Sequence, residues 1–511
     1  IPSLGEKRDS YPLSFAQERL FYVEQLNPSN AYHIPLLLSL SGEVELSHLT
    51  EAISRLCEKH TILRTCYSTD LSGDLTQQVT VNKVNISQQV CATEALTDVV
   101  NVQVNSCFDL GQEVMRVNLY NTEDANYLLF VWHHIAFDGW STSLFLKELA
   151  QSYEDCVVGR PCSLTNVDVD YIDYSVWQRR FLQGDDLQTY QAFWQHQLQG
   201  VETLSLPTDH SRPAIAQHQG CEFEASIDEV LSDTLIELGK EYDVSLNSVL
   251  LSAYYLTLAH LCDQQDIIVG TPSDNREHHQ IQEIIGFFVN TLPLRTQVNW
   301  TQSVEEFVKQ VHKGVMQSKA HQSLPFEQIV ELMDVERDAS RHPLFQVVFG
   351  LQDLQDVVEG GSVLPMTPIS LSSQHDFCPA KFDLSLMAAR SEQGINLTWN
   401  YATSLFEPRT IEMFNQLYQT LLEGLTNSTA KTVGTIPLMT LSQQKILLKE
   451  TALPREDFTS SGTLIQAFEA QVLASPEAVA LCFGAQQLSY RALNERANQL
   501  AHWLRVRYEA T

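Results

Sequence analysis

His133-His134-Ile135-Ala136-Phe137-Asp138-Gly139 follows the run Tyr127-Leu128-Leu129-Phe130-Val131-Trp132 and precedes Ser141-Thr142-Ser143. The upstream run is short, aromatic and β-branched, the composition of a buried strand. Downstream, three hydroxyl residues offer N-caps for a helix carrying Phe145, Leu149 and Tyr153 on one face. The stretch therefore reads as strand, turn and helix, with an imidazole presented at the edge of a core. Histidine is the side chain whose ordinary pKa lies nearest neutrality, which makes this turn the natural seat of proton chemistry.

Strand alternation sets Leu128, Phe130, Trp132 and His134 on one face and Leu129, Val131 and His133 on the other. Adjacent histidines on opposite faces cannot share an ion, so a metal site of His133, His134 and Asp138 fails on geometry. Two readings stay open. Both histidines are satisfied core residues, or one performs acid–base work while its neighbours hold the turn.

His133-His134-x-x-x-Asp138-Gly139 resembles the signature of condensation domains of nonribosomal peptide synthetases, members of the chloramphenicol-acetyltransferase-like acyltransferases. Further motifs follow the order of that family. Ser14-Phe15-Ala16-Gln17-Glu18-Arg19-Leu20-Phe21 is similar to its opening motif. Lys59-His60-Thr61-Ile62-Leu63-Arg64-Thr65 resembles the second, with Lys59 and Thr61 where Arg and Glu are usual. Tyr171–Gln178 resembles the fourth, Ile285–Thr291 the fifth, His321–Glu327 the sixth and Arg337–Gln346 the seventh. The resemblance covers roughly residues 11–445. It implies an α/β fold of two chloramphenicol-acetyltransferase-like lobes forming a V around a central tunnel.

The implied organisation is an upstream linker at 1–10, an N-lobe at 11–184, a C-lobe at 185–445 and a linker at 446–462. Residues 463–511 resemble the N-terminal fragment of an adenylation domain. The segments Leu464–Phe468 and Leu488–Leu493 carry that likeness. Arg491–Arg505 reads as an amphipathic helix with Leu493, Ala497, Leu500 and Leu504 on one face. Thr511 is expected to cut that domain short, before any Gly-rich phosphate loop, and no carrier-type Gly-Gly-x-Ser motif occurs. Elsewhere, Thr50–Lys59, Tyr190–Leu198, Asp228–Glu241 and Leu246–Leu261 read as helices, Ile267–Val269 as a strand and Leu206–Pro213 as a Pro-bounded loop.

Length and composition agree with this reading. A chain of 511 residues exceeds one ordinary core. No apolar run reaches membrane-spanning length, and Ile1–Arg8 is no signal peptide, so a cytoplasmic protein is expected. A first residue Ile1 points to excision from a longer polypeptide. Ten cysteines without a Cys-x-x-Cys pair read as reduced and mostly buried thiols. With 32 basic against 63 acidic residues, nucleic acid and anionic membrane are poor partners.

The resemblance implies donor and acceptor substrates carried on the 4'-phosphopantetheine arms of upstream and downstream peptidyl carrier proteins, beside an adjacent adenylation domain. No intrinsic cofactor or metal is expected. Such carriers tend to be acidic, so docking on this acidic chain needs local basic residues, with Arg19, Arg64, Arg179 and Arg180 as candidates. His134 matches the family's catalytic histidine, while His133 is assigned a structural role. Asp138 is implied to pair with an Arg of the second lobe, at the position of Arg276. Gly139 offers an N–H to an oxyanion, or serves turn geometry alone. Asn290 and Trp177 are assigned to packing at the lobe junction, and His60 and His321 have no partner legible in the sequence.

The implied reaction is attack by the α-amine of an acceptor aminoacyl thioester on a donor acyl or peptidyl thioester. Gly139-Trp140-Ser141 and the opening motif resemble domains taking an L-configured donor. A starter-type N-acylating domain, a free-standing acyltransferase using coenzyme A and a non-catalytic docking platform are the alternatives. The adenylation-like tail argues against the free-standing enzyme, and the intact His-His motif against the platform.

Overall fold

The computed structural model describes all residues except 6–7, 27, 42–43, 71, 82–83, 335–337, 353–363, 365, 370–377, 392, 428–430, 452–461 and 509–511. Arg337 of the seventh motif and most of the expected linker, 452–461, thus lie outside the described residues. Two compact units emerge, Ile1–Leu438 and Met439–Thr511.

The larger unit holds two apolar cores. The first surrounds a five-stranded sheet in the order Met366–Ile369, His33–Leu40, Asn126–His133, Met115–Asn121, Ile86–Val90. Its strand Asn126–His133 is buried continuously from Leu128 to His133, because helices and loops cover both faces. Phe130 and Trp132 stack on each other at 5.0 Å and meet Phe145 edge-on at the same spacing. Phe145 belongs to the helix Gly139–Val158, which is thereby fastened over the sheet. The helix Leu46–Lys59 buries Leu49, Ala52, Ile53, Leu56 and Cys57, the three-and-four spacing of one apolar face.

The second core surrounds a six-stranded sheet in the order Asn290–Gln297, Asp266–Ser273, Val347–Gln352, Leu384–Ser391, Gly394–Ala402, Gly220–Asp228. The helix Leu246–Cys262 is buried without a break from Ser248 to Ala259. A helix apolar on all sides can exist only inside a core, and this one lies under the second sheet. No single helix among the described residues is long and apolar enough to cross a membrane.

Several expectations need correction. The chain enters the second core at Leu182, but it returns twice to the first. Ile281, Ile284, Ile285 and Phe288 pack in the first core, and Met366–Ile369 adds an edge strand to the first sheet. A single cut at 184/185 therefore describes the course of the chain and not its packing. The helix Leu441–Thr451 occupies the start of the expected linker, and the larger compact unit ends at Leu438. The cap of Gly139–Val158 is Asp138, whose carboxylate accepts from the Ser141 N–H, and not a hydroxyl of Ser141–Ser143. The thiols are all free, as expected, but only Cys57 is buried, and Cys107, Cys162, Cys221 and Cys482 are exposed. Cys107 and Cys162 stand on loops, Cys221 on an edge strand and Cys482 on a two-stranded hairpin, where no core reaches them.

Taken by itself, the smaller unit contains the helices Leu441–Thr451, Leu464–Ala474 and Tyr490–Tyr508 and a hairpin of Val479–Phe483 with Gln486–Ser489. No residue of the last two helices is buried, and Leu464, Phe483 and Val506 are largely exposed.

Candidate active site

The central strand stops at His133, and one 3₁₀ turn, His134–Ala136, follows. Alternation therefore does not carry through to His134, and its face is set by the turn. The backbone N–H of His134 donates to the Tyr32 carbonyl at 2.8 Å. His133 Nδ1 accepts the Ile135 N–H at 3.1 Å, which places its own proton on Nε2, 3.7 Å from Glu24 Oε2. With the His133 ring fully buried, this histidine serves the turn.

His134 is turned the other way. Its Nδ1 lies 2.8 Å from the Phe137 carbonyl, which can only accept, so Nδ1 carries the proton and Nε2 keeps its lone pair. The ring meets Phe287 edge-on at 4.8 Å. Phe287 is fixed in turn by the Tyr171 hydroxyl, which donates to its carbonyl at 2.6 Å. At neighbouring Gly286 a Cβ would stand 2.3 Å from the Tyr171 ring, so this approach requires glycine.

His134 opens on a cavity of about 240 Å³ between the two lobes. Arg19 and Tyr32 line it from the first lobe, and Phe287, Glu327, His342 and Lys381 from the second. Burial, with help from the Lys381 ammonium, pushes the His134 imidazole down to about 3. A ring so weakly basic accepts a hydrogen bond well but takes up a proton poorly near pH 7.

Burial likewise pushes His33 down to about 4 and His342 down to about 3. Each folded-state value lies below the ordinary 6.5, so unfolded chains bind more protons in that window. Stability from these groups is present above pH 6.5 and is lost as pH falls toward 4. Urea midpoints measured at pH 7.5, 6.0 and 5.0 should therefore decline, before carboxylate protonation sets in, and a flat profile would contradict the burial. His342→Gln should flatten the slope.

Asp138 and Arg276 form a second, buried centre. Arg276 Nη2 lies 3.0 and 3.1 Å from the two Asp138 oxygens, with both side chains almost wholly enclosed. Asp138 also accepts from the Ser141 N–H at 2.9 Å, its hydroxyl at 2.7 Å and the Phe288 N–H at 3.2 Å. Arg276 Nη1 donates to the carbonyls of Ile281 and Ile284 at 2.6 Å, and its guanidinium lies 4.2 Å from the Phe288 ring centre. Asn275 turns the chain into this position through a left-handed φ of 52°, a conformation Asn tolerates. The pair joins the cap of one lobe's helix to the segment of the other lobe that returns to the first core. Neither residue lines the cavity.

Gly139 stands exposed at the first position of its helix, and nothing lies within 4 Å of where its Cβ would be. Its φ is not in the left-handed region, so turn geometry does not demand glycine here. Asn290 touches the cavity, but its side chain is consumed by Gln322, Leu324, Thr291 and Phe326 backbone groups. Trp177 stacks on Phe181 and stays outside the cavity. His60 does have a partner, Glu148 at 2.7 Å, which also holds Lys59 at 2.6 Å. His321 stacks on Phe193 at 3.8 Å. Among the basic candidates for carrier docking, Arg19 pairs with Glu327 at 3.0 Å, Arg64 binds the Cys57 and Thr80 carbonyls, and Arg179 pairs with Glu18. Arg180 is exposed.

Tyr32, Phe287, His342 and Lys381 escaped notice as cavity residues. Phe287 and His342 sit inside motifs that carry a family likeness, so proximity to those motifs was a usable signal. Lys381 and Tyr32 belong to none, and only the folded chain brings them to His134.

Residues 7–448 match the family described as Condensation domain. The chain belongs to that family. It is 34% identical over 503 residues to malpinin synthetase of Mortierella alpina, a match covering 96% of this chain and 6% of that protein. Among solved structures, the X-domain from teicoplanin biosynthesis superposes with a TM-score of 0.78 at 22% identity, covering 86% of this chain and 99% of that one. A four-domain nonribosomal peptide synthetase bound to AMP and glycine gives 0.77 at 22% identity, covering 98% and 39%. The two-lobe, chloramphenicol-acetyltransferase-like α/β architecture is thus that of condensation domains. As a condensation domain, the chain is an acyltransferase of the kind that forms amide bonds in nonribosomal peptide synthesis.

Proposed function

We propose that this condensation domain joins a donor acyl or peptidyl thioester to the α-amine of an acceptor aminoacyl thioester, both delivered on carrier-protein phosphopantetheine arms. The observation that carries the reading is the His134 ring, with Nδ1 held by Phe137 and its other nitrogen without a hydrogen-bond partner among the described residues, in a cavity shared by both lobes. The amine nitrogen attacks the thioester carbon, and the C=O π pair moves to oxygen. Collapse restores the carbonyl and expels the thiolate, and the proton released by nitrogen passes to the departing sulfur.

His134 accepts a hydrogen bond from the amine and guides that proton during collapse. A free α-amine has a pKa of about 7.7–8.0, so a useful fraction arrives already neutral. Alignment then contributes most, since well-oriented pairs reach effective molarities of about 10⁵–10⁸ M. His133, Asp138 and Arg276 hold the turn and the returning segment. We assign residues 463–511 to the start of an adenylation domain, a reading supported by the exposed apolar side chains of that segment, Leu464 and Phe483 among them. Upstream and downstream carrier proteins are the partners this reading requires.

An L-configured donor is favoured over a starter acyl group by the motif residues Gly139-Trp140-Ser141. Incubation with carriers loaded with L-peptidyl, D-peptidyl and fatty-acyl donors, followed by mass spectrometry of the acceptor carrier, tests this reading. Product only from the L-peptidyl donor is expected. Product only from the fatty-acyl donor would replace the reading with a starter domain, and no product from any would defeat both.

Gly139→Ala separates the two roles considered for that residue. An added methyl meets no protein atom and an Ala is the better helix former by about 0.5–1 kcal/mol, so thermal stability should hold or rise. Gly139 is not among the residues that line the cavity, so a fall in turnover would place substrate beside this helix N-terminus. Unchanged turnover would show that the glycine is dispensable.

A further inference from the structure

We propose that Lys381 is the cation of the condensation site, placed to stabilise the tetrahedral oxyanion and to keep the amine beside His134 unprotonated. The inference rests on the condensation reading and adds a residue to it. Lys381 lines the cavity, and its ammonium lies 5.0 Å from the centre of the Tyr32 ring. Tyr32 is also the residue whose carbonyl holds the His134 backbone at 2.8 Å, so one residue positions both groups.

The flanks of Lys381 are fixed. The Ala380 N–H donates to the His218 carbonyl at 2.8 Å, and the Asp383 N–H to the Gln346 carbonyl at 3.0 Å. Arg212 clamps the Asp383 carboxylate with both of its terminal nitrogens. The ammonium, by contrast, has no hydrogen-bond or ion-pair partner among the described residues. The charged and titratable groups around it are Arg19, Tyr32, His134 and Tyr174 on one side and Glu327 and His342 on the other. Glu327 is the carboxylate among them, and it is engaged by Arg19 at 3.0 Å. A half-buried cation without a counter-ion is costly to maintain, and the charge that would compensate it is the one that develops on substrate.

Chemistry follows from that placement. As nitrogen attacks, the carbonyl oxygen acquires a full negative charge, which the Lys381 ammonium opposes without giving up its proton. The same positive field disfavours an ammonium on the acceptor, as it disfavours one on the His134 ring. Burial and Arg19 push Lys381 itself down to about 8, so its charge, and the rate, should fade above that pH.

The test uses the whole chain with loaded donor and acceptor carriers, comparing wild type, K381M and K381R over pH 6.5–9. K381M should lose about 10²–10³ in kcat, the usual effect of removing one oxyanion donor, with little change in acceptor KM. K381R should recover much of that rate and lose the decline above pH 8, because arginine stays charged. A K381M rate equal to wild type, or an alkaline decline unaltered in K381R, would overturn the inference while leaving the condensation reading intact. A folded wild type that forms no product defeats the condensation reading, and this inference with it. Should K381M fail to fold, the pH profile of K381R decides.

Discussion

Asp138→Ala is expected to destabilise the larger unit by about 3–5 kcal/mol, the usual consequence of stripping one partner from a buried ion pair. The cause is the guanidinium left behind. Arg276 is only 4% exposed, and two carbonyls and an aromatic face do not neutralise its charge. The helix Gly139–Val158 also loses its cap, worth a further ~0.5–2 kcal/mol. Asp138→Asn separates the two contributions, since an amide oxygen can still cap the helix but carries no charge. Because Arg276 fastens the segment that presents Phe287 to His134, activity should fall with stability. The double variant D138A/R276M removes both charges and should recover much of the loss. Chemical denaturation of wild type, D138A, R276M and D138A/R276M forms the cycle. Additive losses, with no recovery in the double variant, would show that the pair contributes no coupling.

His134→Ala should act in the opposite way, sparing the fold and removing the rate. A fall of about 10²–10⁴ in kcat is expected, the range for losing a positioned proton-handling group. The urea midpoint measured above pH 7 should change little, since the ring lies at the cavity wall and not within a core. The pH dependence tells an aligning role from a full general base. With the imidazole held near 3, no acid limb near 6.5 should appear in kcat/KM. The acid limb should instead follow the acceptor amine, at about 7.7–8.0 for a free amine. Limbs fitted near 6.5 in wild type and absent in a weakly active variant would restore the imidazole as the base. A variant as fast as wild type would remove His134 from the chemistry altogether.

Much of the first lobe was legible because its signals are local. The apolar run ending at Trp132 and the three-and-four spacing of Leu49, Ile53 and Leu56 report burial on neighbouring faces, which the chain encodes within a few residues. The cap was misassigned for a related reason. Ser141 and Asp138 both suit an N-cap, and the choice depended on Arg276, 138 residues away, holding the carboxylate in place. His60 looked partnerless because Glu148 lies 88 residues further on.

Residue order alone determined the family, the α/β class and the nomination of His134, since motifs with fixed spacing survive in one dimension. Tertiary structure decided which way His134 faces, because the strand ends one residue before it and a 3₁₀ turn breaks the alternation. It also decided that Ile281–Phe288 crosses back to the first core, and that Lys381 stands in the cavity without a hydrogen-bond or ion-pair partner among the described residues. Those facts depend on long-range packing and on the electrostatics of a closed space, and neither leaves a periodic trace along the chain.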